Sequence, residues 1–129
     1  MPSDEGRPAL SPATVLLVED ETLIRMLLAE ELEDAGYRVI EAGSADDAID
    51  LLAAAAVDLV VTDVKMPGAR SGLDLAAWVR GNRPAAKVVV MSGYVHEEVV
   101  SAAGIDAFVS KPFKPVDVAA VVERLLSAG

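Results

Sequence analysis

Five short runs rich in β-branched residues recur along the chain, at Thr14–Val18, Tyr37–Glu41, Leu59–Thr62, Lys87–Met91 and Ala107–Ser110. The first, third and fourth are nearly continuous in apolar residues, reading VLLV, LVV and VVVM. A strand with one wet face alternates apolar and polar residues, whereas a strand covered on both faces reads as a continuous run. Helical stripes separate the runs. Leu23, Ile24, Leu27, Leu28 and Leu32 recur at helical spacing, and Gly36 follows as a stop signal. Ala45, Ala48, Ile49 and Leu52 form a second stripe, with Ser44 and Asp47 spaced as a capping box. Ser71 and Asp74 repeat that spacing ahead of Leu75, Ala76 and Val79. A shorter segment over His96–Ala103 ends at Gly104, and Pro115 introduces Val118, Val121, Val122, Leu125 and Leu126. Strands alternating with helices of this length predict an α/β fold, a parallel sheet with helices on both faces. Right-handed crossovers leave few topologies, and a doubly wound five-stranded sheet is the natural one.

The 129 residues have the usual size of one domain, and with 53% of them apolar a single core is within reach. The start, MPSDEGRPALSPA, carries Pro, Gly and charge without periodicity. It reads as a loose tail over residues 1–13, ahead of one domain over 14–129. That tail has no basic stretch leading into an apolar one, so it is not a secretory signal. No apolar run approaches the roughly 18 residues that a membrane span requires. The formal net charge of −10 repels nucleic-acid phosphates and anionic membranes. With no cysteine, disulfides and thiolate metal sites are ruled out. A cytoplasmic protein with protein or metal partners, and no direct nucleic-acid or membrane contact, is expected.

In an open parallel sheet, sites form beyond the carboxyl ends of the strands. Glu19, Asp20 and Glu21 follow the first run, Asp63 the third, Ser92 and Gly93 the fourth, and Lys111 and Pro112 the fifth. The second run ends at Glu41, before Ala42 and Gly43, and offers less obvious chemistry. Crowded carboxylates repel one another and call for a cation. Hard oxygen donors without His or Cys select magnesium or a similar divalent ion. Lys111 suits an anionic group arriving beside that ion, and Ser92 can donate a hydrogen bond to it. Carboxylate nucleophile, metal, ammonium and hydroxyl together describe phosphoryl transfer. Each residue alone has a plainer explanation: a helix-start charge for Glu19 or Asp20, a turn before Met66-Pro67-Gly68 for Asp63, an ordinary loop for Ser92 or Lys111. The weight lies in all of them falling at strand ends.

The segments VLLVEDE, VVTDVKMPG, VVVMSGY and VSKPF, in this order, resemble the receiver domain of two-component response regulators. The resemblance runs from about Thr14 to Leu126 and implies the (βα)5 flavodoxin-like order of that family. It implies that Asp63 is phosphorylated by a sensor histidine kinase or a histidine phosphotransfer protein. It implies Mg2+ (or Mn2+) held by Asp20 directly, by Glu19 through water, by Asp63 and by the backbone carbonyl of Lys65. Lys111 would pair with the phosphoryl group, and its bond to Pro112 would be cis. Ser92 would close on the phosphoryl group, and Phe108 would swing inward with it. The surface of the last two βα units would meet a downstream protein partner, with a homodimer on activation as one form of output.

Some features depart from the commonest family pattern. Glu19 stands where Asp is more frequent, and the loop Gly68–Gly72 is about one residue longer than in many receivers. Lys65 and Tyr94 take positions that in this family flank the phosphoryl group and often tune its loss; Tyr94 would either crowd out the attacking water or simply cover the sheet edge. His96, the sole histidine, reads as a solvated helix-start residue, and Glu97 and Glu98 as solvation. Trp78 reads as partly buried. Met1, the tail and the end of the chain soon after the last stripe point to a stand-alone receiver. The alternative is a receiver excised from a hybrid histidine kinase or multidomain regulator.

No classical enzyme is expected, only self-phosphorylation from a phosphodonor and autodephosphorylation. A haloacid-dehalogenase-type phosphatase would need a second Asp two residues after the nucleophile, where this chain has Lys65. A flavin binder would need a hydroxyl- and glycine-rich loop where Glu19-Asp20-Glu21 stands. A degenerate receiver serving only as a scaffold is opposed by the complete set of site residues.

Overall fold

In the computed structural model the described residues are 12–93 and 104–127. They form β1 (Thr14–Val18), α1 (Thr22–Asp34), β2 (Arg38–Ala42), α2 (Ala45–Ala54), β3 (Leu59–Asp63), α3 (Gly72–Asn82), β4 (Lys87–Ser92), β5 (Ala107–Ser110) and α4 (Pro115–Ser127). The predicted tail before residue 12 and the predicted short helix over 96–103 lie outside the described residues. So do Tyr94, His96, Glu97 and Glu98.

All five strands are parallel, in the order β2-β1-β3-β4-β5. The chain steps outward one way from β1 to β2, then returns to place β3 on the other side of β1. A crevice opens at that reversal, beyond the carboxyl ends of β1 and β3. This is the doubly wound arrangement expected from the alternation of runs and stripes, in the flavodoxin-like order that the resemblance implies.

The side-chain period of two explains why β1, β3 and β4 read as continuous apolar runs. Leu16, Val18, Val60, Val88 and Val90 face one side, against Ala45, Ala48 and Leu52 of α2 and Leu75, Ala76 and Val79 of α3. Val15, Leu17, Leu59, Val61, Val89 and Met91 face the other, against Leu28 and Leu32 of α1 and Val118 and Val122 of α4. Both faces need apolar residues, so no alternation survives. Each such side chain, fully buried, contributes about 1.5–3 kcal/mol. The edge strand β2 carries Arg38 and Glu41 facing solvent, which is why its run is the least apolar. It starts and ends one residue later than its sequence pattern, because the Tyr37 amide is taken by the carbonyl of Leu32 at the end of α1.

Local signals set the helix limits. Gly36 has φ of +103°, a left-handed value that closes α1 and that few side chains tolerate. The Ser44 hydroxyl accepts from the Asp47 amide at the start of α2. At Ser71 the full reciprocal box forms: its hydroxyl accepts from the Asp74 amide, and the Asp74 carboxylate accepts from the Ser71 amide. β3 and β4 each run one residue beyond their apolar patterns. Asp63 and Ser92 are therefore the last residues of strands, fixed by ladder pairing rather than carried on loops. No helix among the described residues is long and apolar enough to cross a membrane.

Candidate acidic site at the strand ends

Glu19 leaves β1 fully buried, with its amide donating to the Ala42 carbonyl at 3.0 Å. Its carboxylate turns back on its own loop, where Oε2 accepts from the Glu21 amide at 3.0 Å. The other oxygen, Oε1, is buried without a hydrogen-bond partner among the described residues. Asp20 follows at the exposed mouth of the crevice. Asp63, at the end of β3, is only 6% exposed. One carboxylate oxygen from each of Glu19, Asp20 and Asp63 lies within 4.8 Å of the others.

Lys111 reaches this cluster from the end of β5, its Nζ donating to Asp63 Oδ2 at 2.5 Å. Its backbone is fixed by the Lys111 amide donating to the Ser92 carbonyl at 2.8 Å. The bond from Lys111 to Pro112 is cis, as the resemblance implies. Ser92 ends β4 and is buried, joined to Lys111 through its carbonyl.

Asp63 is braced from behind. The Thr62 hydroxyl donates to the Asp63 carbonyl at 2.9 Å. The Val64 amide donates to the Met91 carbonyl, and the Gly72 amide donates to the Val64 carbonyl at 2.8 Å. A Cβ placed on Gly72 would overlap the carbonyl of Asp63, so the start of α3 approaches this strand end in a way only glycine permits.

The electrostatics follow from burial and crowding. Burial is the main cause that pushes the Glu19 carboxyl from its ordinary 4.5 up to about 7, with the Asp63 charge and an Asp20 hydrogen bond adding to it. The Glu21 amide and the Lys111 charge act the other way and only partly offset it. For Lys111, burial pulls the ammonium down most strongly. The bond to Asp63 and the charges of Asp63, Glu19 and Glu21 together outweigh it, so its pKa is raised. Opposite charges favouring each other's ionised forms explain that outcome.

These residues fit a hard divalent cation. The donors are all carboxylate oxygens, the geometry gathers three of them, and Glu19 Oε1 is a buried acceptor with no donor among the described residues.

Of the residues singled out in the sequence, Glu19, Asp20, Asp63 and Lys111 converge, and Ser92 borders them. Lys65 lies two residues past Asp63 in an exposed loop. That loop is tied down by an Arg70–Asp46 ion pair at 2.6 Å. Phe108 sits on β5 beside Val90, half-buried against the core on the α2–α3 side. Trp78 is likewise half-buried against that core, as its stripe predicts.

The sequence does not mark Arg25. Arg25, in the first turns of α1, donates from Nη1 to the Glu19 carbonyl at 2.7 Å and from Nε to Glu41 at 3.1 Å. Nothing in one sequence marks an arginine inside a helical stripe as different from a solvated one. The unassigned Glu41 at the end of the second run was the available signal.

Comparison with known proteins agrees with this geometry. The family model described as "Response regulator receiver domain" matches residues 15–123. The transcriptional regulatory protein PdtaR of Mycobacterium tuberculosis is 39% identical over 123 residues, which cover 92% of this chain and 59% of that protein. The sensor kinase CckA of Brucella abortus is 37% identical over 119 residues, covering 88% of this chain and 12% of that kinase. The chain thus spans little more than half of the first relative and a small part of the second. The crystal structure of response regulator TrrA from Thermotoga maritima, in complex with Mg(2+)-BeF, superposes with a TM-score of 0.79 at 32% identity, covering 88% of this chain and 98% of that one. With the strand order, the acidic cluster and the facing lysine already in place, the match over nearly the whole described chain means that this protein belongs to the response regulator receiver domain family.

Proposed function

We propose that the chain is a phosphorylation-driven switch in two-component signalling, with Asp63 as the phosphoryl acceptor. The observation that carries this reading is the meeting of a buried strand-end carboxylate, Asp63, with the Lys111 ammonium on one side and two further carboxylates on the other. An Asp63 oxygen attacks the phosphorus of the donor as the bond from phosphorus to its leaving group breaks. The donor is phosphohistidine on a sensor histidine kinase or a histidine phosphotransfer protein. Lys111 holds the phosphoryl oxygens by charge and hydrogen bonding, and Ser92 donates to one of them.

Glu19, Asp20, Asp63 and the Lys65 backbone carbonyl would hold Mg2+ (or Mn2+). A bound ion supplies neutralisation of the charge on the phosphoryl oxygens. The TrrA structure with Mg(2+)-BeF supports this choice of ion. Phosphorylation adds negative charge at Asp63, drawing Ser92 toward it and giving Phe108 room to turn inward. That biases the β4–β5 surface toward the form a downstream protein, or a second copy, recognises. Among the remaining parts of this reading are a tail over 1–13 ahead of a receiver over 14–129, a cytoplasmic setting, and no direct contact with nucleic acid or membrane. The sensor-kinase relative supports keeping a receiver within a larger protein as the second reading.

A donor protein has a surface to meet beside the site. Leu23, Met26 and Leu27 of α1 are exposed at 68%, 58% and 48%. Leu27 is also one wall of a groove of about 500 Å³, with Pro112, Phe113 and Lys111 itself. Exposed apolar residues grouped this way mark protein contacts, and this group borders the residue that touches Asp63.

The test is incubation with acetyl phosphate, with and without magnesium, followed by intact-mass measurement. One phosphoryl group is expected on the wild type with magnesium and none on Asp63→Asn. Equal labelling of the two proteins would sink the assignment.

A further inference from the structure

Glu19 makes hydrogen bonds through three of its four polar atoms. Its amide donates to Ala42 and its Oε2 accepts from Glu21. Its carbonyl accepts from Arg25 Nη1 at 2.7 Å. Only Oε1 has no partner among the described residues, and the carboxylate it belongs to is gathered with those of Asp20 and Asp63. The first two bonds come from backbone neighbours that any sequence would offer. The third comes from one side chain, Arg25, whose own direction is set by Glu41 at the end of β2, 3.1 Å from Nε. The Arg25 amide also donates to the Glu21 carbonyl at 2.9 Å, which ties the same loop to α1. Arg25 is thus bonded to the β1–α1 loop through main chain and side chain, and to the neighbouring strand through Glu41.

We infer that Arg25, aimed by Glu41, is a positioning residue for cation binding: it holds the Glu19 carbonyl so that the Glu19 and Asp20 carboxylates stay gathered with Asp63 before any ion arrives. Three carboxylates in one crevice repel one another, and Asp20 is exposed to water. A guanidinium fork, with its donors fixed in one plane, holds two acceptors on separate elements at once, which an ammonium does not match in geometry. This inference rests on the reading of the cluster as a cation site.

It makes a prediction opposite in sign to simple electrostatics. Removing a positive charge from a chain of net charge −10 should tighten the binding of any cation. Removing a residue that orients metal ligands should weaken it, by about tenfold or more. The experiment is isothermal titration calorimetry of the full chain with Mg2+ alone, comparing wild type, Arg25→Met, Arg25→Lys and Arg38→Ala. Arg38 starts the same strand that Glu41 serves, at its far end, and controls for loss of charge. Arg25→Met is expected to raise the Kd about tenfold, and Arg38→Ala to leave it unchanged or lower it.

Arg25→Lys keeps the charge without the fork and is expected to raise the Kd several-fold; it also serves should Arg25→Met fail to fold. In metal-free protein, the Glu21 amide proton resonance reports its bond to Glu19 Oε2. It is expected to shift in both Arg25 variants and to stay in place in Arg38→Ala. A wild-type or lower Kd in either Arg25 variant overturns the inference while leaving the cation site intact. Absence of Mg2+ binding to the wild type overturns both the inference and the cation reading beneath it.

Discussion

Lys111 Nζ donates to Asp63 Oδ2 at 2.5 Å, joining the ends of β5 and β3 across 48 positions of sequence. The Asp63 side chain is 8% exposed and that of Lys111 29%, so the pair is shielded on the carboxylate side. The ammonium balances part of the charge that Glu19, Asp20 and Asp63 concentrate in the crevice. Lys111→Ala is therefore expected to retain Mg2+ binding, or to tighten it, since a competing cation is removed. Asp20→Ala is expected to weaken it by at least about tenfold, the usual scale for disturbing a metal ligand or its support. Calorimetric titration decides between them. A loss in Lys111→Ala as large as in Asp20→Ala contradicts this division of roles.

Glu19 makes metal-free stability depend on pH. Its carboxyl has an ordinary value of 4.5 and is pushed up to about 7 in the folded chain, chiefly by burial. Below pH 4.5 it is protonated in both folded and unfolded states, so its burial carries no charge penalty. As pH rises through about 7 the folded state must hold a buried carboxylate, and stability is lost. Because each tenfold change in proton affinity is worth about 1.4 kcal/mol, the loss is on the order of 2–3 kcal/mol. Urea unfolding in EDTA between pH 4.5 and 8 is expected to show it in wild type and not in Glu19→Gln. Parallel profiles for the two proteins would contradict the buried-charge explanation.

Gly72 carries the start of α3 against the carbonyl of Asp63. Gly72→Ala forces a methyl into that contact, and overpacking of this kind costs about 1–3 kcal/mol. A lower unfolding temperature is expected together with slower labelling by acetyl phosphate, because the same clash displaces the acceptor. Wild-type labelling at reduced stability would separate the packing from the chemistry.

Leu27 separates donor recognition from chemistry. It is half-exposed on α1 and lines the groove next to Lys111. Leu27→Glu is expected to leave acetyl phosphate labelling at the wild-type rate while slowing transfer from the phosphorylated histidine donor by about tenfold, a loss near 1.4 kcal/mol. Equal slowing with both donors would place its effect in the site instead of on a docking surface.

The sequence made the fold legible because β1, β3 and β4 must be apolar on both faces, and three continuous runs between helical stripes leave little choice. It made Asp63, Asp20, Glu19 and Lys111 legible because a parallel sheet collects whatever follows its strands. What it did not reveal is the support behind them. Arg25 sits in a helical stripe like any solvated arginine, and its bond to a backbone carbonyl has no residue-type signature. Gly72 reads as the end of the loop Gly68–Gly72, whereas its role depends on a strand end reached only through the fold. The one-residue extension of β3 and β4 likewise comes from pairing: Asp63 opposite Met91, and Ser92 opposite Ser110.

The position of the phosphoryl group tests the central claim most directly. Borohydride reduces an aspartyl phosphate to homoserine, releasing phosphate and leaving a mark that survives digestion. After labelling with acetyl phosphate and magnesium, tandem mass spectrometry of the tryptic peptide Val39–Lys65 is expected to place homoserine at Asp63 and leave Asp46, Asp47, Asp50 and Asp58 intact. Homoserine at one of those four, or at Asp20 in the tryptic peptide that ends at Arg25, with Asp63 unmodified would contradict it.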